Sequence, residues 1–114
     1  MLNNLYHYRI QVVRVVDGDT IIAHIDLGFD FELKNQYIRL ARINAPEMKG
    51  ESKELGEKSK EALVGKLLGK RVFVRTQKHE KEKYGRLLGE LYLEDGTCIN
   101  DWLLSENLAK PYMI

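Results

Sequence analysis

The chain has 114 residues, 44% of them hydrophobic, and a formal net charge of +1. That predicts one domain, residues 1–114, around a single core, and argues against a polybasic nucleic-acid coat. The one cysteine, Cys98, excludes an intramolecular disulfide and a thiolate zinc site; it reads as a small buried hydrophobe.

In chain order, His7–Val16 is rich in β-branched residues, and Thr20–Ile25 follows after the acidic turn Asp17-Gly18-Asp19, so the opening reads as a β-hairpin. A second break at Asp26-Leu27-Gly28 leads to a third strand, Phe31–Leu40. Its imperfect alternation suits a sheet that curls and buries parts of both faces, and Pro46 then removes an amide donor and ends pairing. Ser59, Ala62, Leu63, Lys66 and Leu67 fall at helical spacing, predicting a helix from about Glu57 to Leu68 with Gly69 as its C-terminal cap. Arg71–Thr76 and Leu87–Leu93 read as two more strands around the charged loop KHEKEKYG. Asp95-Gly96 then turns into a short helix holding Trp102, Leu103 and Leu104. Three strands, helix, two strands and helix, in an α+β chain, predict a curled five-stranded β-barrel with a helix between strands three and four: an OB-fold.

No apolar run approaches the roughly 18 residues of a membrane span, and MLNNLYHYRI lacks a signal peptide's basic flank and apolar centre, which predicts an intracellular protein. His7, His24 and His79 are too scattered to cage a metal. Charge is unevenly spread. Residues 1–48 hold five basic and six acidic side chains, residues 49–83 eleven and six, and residues 84–114 two and five. The basic middle segment, with Lys49, Lys53, Lys78, Lys81 and Lys83, reads either as a solvated Lys/Glu surface or as a guide for a polyanion.

Three polar stretches fall at strand ends or in loops, where a scaffold displays function: DGDT at Asp17–Thr20, RLARINAPE at Arg39–Glu47, and KYGR at Lys83–Arg86. Asp19 and Glu47 supply carboxylates and Asn44 a neutral carbonyl oxygen, the donor types that hard cations take. Arginine offers a planar fork that matches a phosphate. Carboxylates with arginines therefore suggest metal-assisted attack on a phosphodiester. Arg39 and Arg42 lie three apart on a predicted strand, so at most one should face such a site; spacing does not select which.

VVDGDT, IRLARINAPE, EKYGR and NLAK, in this order from about Arg9 to Tyr112, closely resemble the staphylococcal-nuclease-like (thermonuclease) family, and IDLGFDF looks like its short intracellular and phage-type members. The resemblance implies an OB-fold that hydrolyses DNA and RNA with Ca²⁺, leaving 3′-phosphates. It implies Asp19 and Asn44 as side-chain ligands, the carbonyl of Ala45 as a third, and Glu47 to orient or deprotonate water. Arg39 and Arg86 would clamp the phosphate, and Lys83, Tyr84 and Tyr112 would lie near the substrate's terminal phosphate and base. Two departures stand out. Asn44 replaces the family's usual aspartate, which predicts weaker calcium binding. The chain stops at Ile114 where longer members continue into another helix, which predicts low stability or dimerisation. The rival reading is a nucleic-acid- or protein-binding module of the same fold without turnover; a structural protein using the barrel as an interaction surface is a third.

Overall fold

The β-branched opening of the chain forms strands that close on themselves. In the computed structural model, which describes residues 6–81 and 85–112 and the backbone alone over 77–81, β1 (His7–Asp17), β2 (Thr20–Gly28) and β3 (Phe31–Leu40) form an antiparallel meander. β5 (Val72–Lys81) and β6 (Leu87–Leu93) form a second hairpin. β3 pairs in parallel with β6 through Ile38–Leu40, and β5 pairs with β1 through Val72–Arg75, giving a closed barrel in the order β1-β2-β3-β6-β5. Closure removes most of the exposed sheet edge.

Inside, Ile21, Ile38, Leu40, Val74 and Leu91 are fully enclosed. Helix α1 (Lys53–Leu67) adds Leu63 and Leu67 to the core, and α2 (Ile99–Ser105) adds Ile99 and Leu103. Asn100 is fully buried, yet its side chain is satisfied: Oδ1 accepts from Leu91 N at 3.0 Å, and Nδ2 donates to Ala41 O at 2.8 Å and Gly89 O at 3.2 Å. It ties α2 to the barrel. No helix among the described residues is long and apolar enough to cross a membrane.

The barrel with its intervening helix matches the expected architecture, and five local details differ. The backbone of β5 runs on to Lys81, into the expected charged loop, where it pairs with Leu87. The second turn falls at Phe29-Asp30, not at Asp26–Gly28, because both residues take left-handed φ (56° and 64°), the hairpin turn that suits the strand twist. Helix α1 begins at Lys53, four residues before Glu57, where the apolar spacing gave no signal because Leu55 points to solvent. Two short strands, β4 (Ile43–Asn44) and β7 (Lys110–Pro111), pair outside the barrel. Cys98 is only partly buried, with its sulfur 4.0 Å from the Arg42 guanidinium.

Candidate active site

The turn joining β1 to β2 delivers Asp17 and Asp19 to the end of β3. Thr20 pairs with Arg39 across the strands, and Leu40 N donates to Asp19 O at 2.8 Å, so the register sets Asp19 against Arg39. Both side chains are buried: Arg39 Nη2 lies 3.6 Å from Asp19 Oδ2, with side-chain exposures of 6% and 10%. The guanidinium also donates to Leu40 O at 2.7 Å and to Asn44 Oδ1 at 3.2 Å. Asp19 in turn accepts from Thr20 Oγ1 at 3.1 Å and from Ala45 N at 2.8 Å. Carboxylate, guanidinium and carboxamide thus form one hydrogen-bonded corner.

Backbone contact holds the 44–47 loop in place. A Cβ on Gly18 would lie 2.7 Å from Ala45 Cβ and 2.8 Å from Ser59 Cβ, and one on Gly56 would lie 2.5 Å from Glu47 O and 2.8 Å from Pro46 O. Only glycine permits these approaches, which seat the loop between the β1–β2 turn and α1. Ser52 Oγ donates to Glu47 O at 2.8 Å, fixing the main chain there while the Glu47 side chain is exposed. From the opposite side, β7 pairs with β4 and Tyr112 N donates to Arg42 O at 2.8 Å. The Tyr112 ring therefore reaches the site, its centroid 5.8 Å from Arg39 Cζ.

Arg42 leaves the site. Instead of continuing β3 it takes a left-handed φ of 69°, and its guanidinium pairs with Glu90 at 2.7 Å and Asp101 at 3.0 Å, bridging β6 and α2. The geometry chooses Arg39 for the corner, by a turn and not by strand alternation.

Of the other expected site residues, Arg86 immediately precedes β6 and lines a shallow depression with Gly85, Asn35, Gln36 and Tyr37. Leu87 and Leu88 pair with Ile38 and Arg39, so Arg86 stands a few positions down the sheet from the corner. Lys83 and Tyr84 lie outside the described residues.

Asp17, a turn residue by sequence, also packs against the site. Its Oδ1 accepts from Asp19 N at 3.0 Å. Burial, then hydrogen bonding to the neighbouring Asp19 carboxylate, pushes its pKa up to about 6, against the lowering effect of that main-chain bond and of the Arg39 charge. The two carboxyls thus share one partly buried neighbourhood with the Arg39 guanidinium. Among the described residues no three His, Cys, Asp or Glu side chains converge to cage a metal. Asp17, Asp19 and Asn44 nevertheless offer oxygen donors only, the type a hard divalent cation takes.

A family model described as staphylococcal nuclease homologue matches residues 37–114. The chain is 35% identical over 102 residues to an uncharacterized endonuclease of Escherichia coli, covering 90% of this chain and 60% of that protein. It is 31% identical over 112 residues to the thermonuclease of Staphylococcus hyicus, covering 96% and 62%. It is 34% identical over 112 residues to endonuclease YhcR of Bacillus subtilis (strain 168), covering 90% of this chain and 9% of that protein. The chain thus spans about 60% of the length of the first two relatives.

Proposed function

Because the chain belongs to the staphylococcal nuclease homologue family, we propose that it is a nuclease, one that uses calcium to hydrolyse DNA and RNA phosphodiester bonds with low sequence specificity and leaves 3′-phosphates. The observation that carries this reading is the buried Arg39 guanidinium set beside the Asp19 carboxylate, the Asn44 amide oxygen and the Tyr112 ring.

In this reading Asp19, Asn44 and the carbonyl of Ala45 hold the calcium ion, with Asp17 alongside. When bound, the ion polarises a phosphoryl oxygen. The rest falls to the chain's own side chains. Glu47, exposed on a loop whose backbone is pinned by Gly56 and Ser52, accepts a proton from the attacking water. As water oxygen bonds to phosphorus, the bond to the 5′-oxygen breaks and that oxygen takes a proton from solvent. Arg39 and Arg86 donate to phosphate oxygens, most strongly as negative charge builds in the transition state. Tyr112, with Lys83 and Tyr84, positions the neighbouring base and terminal phosphate.

One observation favours a second reading, a nucleic-acid- or protein-binding module without turnover. Arg39 already donates to Leu40 O and Asn44 Oδ1, and Asn44 brings no negative charge. Digestion of single-stranded and duplex DNA and of RNA with Ca²⁺, Mg²⁺, Mn²⁺ or chelator separates the two. Calcium-dependent cleavage, lost in Asp19→Ala, supports the enzyme; retention of the polymer without cleavage under every condition supports the binder.

A further inference from the structure

Two surface features lie outside the site. The first is a groove of about 500 Å³ between β1 and the end of α1. It exists because β1 pairs with β5 only from His7 to Ile10; from Gln11 onward the edge of β1 away from β2 has no strand beside it among the described residues. Apolar side chains stand open there: Val13 is 49% exposed, Val64 41% and Leu68 76%. Its rim is basic. Arg9 and Arg14 belong to the groove and have no ion-pair partner among the described residues. Lys70 and Arg71 stand on the α1 side, Arg71 shared with Glu94 at 3.5 Å and Lys70 in the field of Asp95.

The second is the far end of the β2–β3 hairpin. Past the Ile25–Leu33 pair its strands run into solvent, and Phe29 is 95% exposed and Phe31 68%. The tip, IDLGFDFEL, alternates these apolar side chains with Asp26, Asp30 and Glu32, none in an ion pair among the described residues. Lys34 is the next charge along β3.

The two features are complementary: a basic rim with apolar floor and a free strand edge, and an acidic, apolar strand pair. The chain's own hairpin cannot fill its own groove, since β2 lies on the opposite edge of β1. A nucleic acid fits less well, because no aromatic ring among the described residues lines the groove for a base to stack on. We propose that the β2–β3 hairpin tip of one copy of this chain docks in the β1–α1 groove of a second copy. Each molecule has one tip and one groove on different faces, so the contact joins molecules head to tail.

Sedimentation velocity between about 10 μM and 1 mM chain, the range where a weak protein contact populates, tests this. The parent chain is expected to associate progressively with concentration. The hairpin variant Phe29→Ser/Phe31→Ser and the groove variant Arg9→Glu/Arg14→Glu, both at exposed positions, should each associate at least about tenfold more weakly, with unchanged circular dichroism. Mixed in equal amounts, they should form a heterodimer that grows no further, since each keeps the half the other lacks; a misfolded variant could not complement. A parent chain monomeric to the top of the range overturns the proposal. So does either variant associating like the parent, a mixture that stays monomeric, or groove substitutions that weaken only binding of a single-stranded oligonucleotide.

Discussion

Arg39 Nη2 lies 3.6 Å from Asp19 Oδ2 with both side chains almost wholly buried, so each is the other's principal counter-charge in the substrate-free protein. Any substrate phosphate that recruits Arg39 must draw it from a carboxylate. Arg39→Ala is expected to lower kcat by a factor on the order of 10², as for loss of a preorganised transition-state donor. It should also lower stability by roughly 3 kcal/mol, because it leaves Asp19 buried without its partner. Arg39→Lys should recover much of the stability and little of the turnover, since an ammonium keeps the charge and loses the fork. Urea denaturation alongside initial rates tests the split; equal recovery of both would place Arg39 in the fold and not in the chemistry.

Asn44 accepts from Arg39 at 3.2 Å and, as proposed, also faces the ion. Asn44→Asp adds an anion beside Asp19, so half-maximal activity should move to lower calcium. The gain will be reduced by a tighter pairing of the new carboxylate with Arg39. Calcium titration of activity in both forms checks this, and a variant needing as much calcium as the parent removes Asn44 from the ligand set.

Gly56 and Gly65 both lie in α1 and should respond oppositely to alanine. At Gly56 a methyl group would meet the backbone oxygens of Glu47 and Pro46, so Gly56→Ala should cost roughly 1–3 kcal/mol and, by displacing the Glu47 loop, reduce kcat. At Gly65 nothing lies within 4 Å, so Gly65→Ala should stabilise by roughly 0.5–1 kcal/mol with cleavage unchanged. Thermal melts with parallel rate measurements decide; a tolerated Gly56→Ala would mean that the loop is not pinned by α1.

Cys98 gives a pH-dependent signal away from the site. Burial, then the negative charge of Asp101 and Glu90, raises its pKa above the ordinary thiol value, outweighing the lowering effect of main-chain hydrogen bonds. A raised pKa means less thiolate at any given pH, so iodoacetamide at pH 8 should alkylate Cys98 more slowly than a free thiol, with the rate climbing at higher pH than usual. Asp101→Asn should speed the reaction. Mass-spectrometric rates across pH 7–10 test it, and a profile like free cysteine would contradict the burial.

Much of this architecture was legible because it rests on local patterns. β-branched runs, turn residues and the helical spacing of Leu63 and Leu67 gave the barrel strands and α1, and the motif order brought Asp19, Arg39 and Asn44 to attention together. What escaped had non-local or permissive causes. The β4–β7 pair joins residues far apart in sequence and only two long, too short for any periodicity to register. Arg42's departure depends on a left-handed backbone that no rule assigns to arginine, and the turn at Phe29-Asp30 uses the same conformation without glycine. Asp17 reads as a turn former because aspartate commonly is one; only its packing against Asp19 shows the second carboxyl. For the site residues the chemical types were readable in the sequence, because carboxylate, carboxamide and guanidinium are properties of the residues themselves.

The small β4–β7 pair also orders events during synthesis. Asn44 and Ile43 are among the earlier residues to be made, but their strand partners are Lys110 and Pro111, and Tyr112 closes on Arg42 after both. A growing chain therefore carries Asp19, Arg39 and Asn44 before β7 can pair with β4 and bring the Tyr112 ring to Arg39, and the barrel waits in the same way for β6. On the proposed reading, the Tyr112 side of the site would stay open until β7 had been made and had paired with β4.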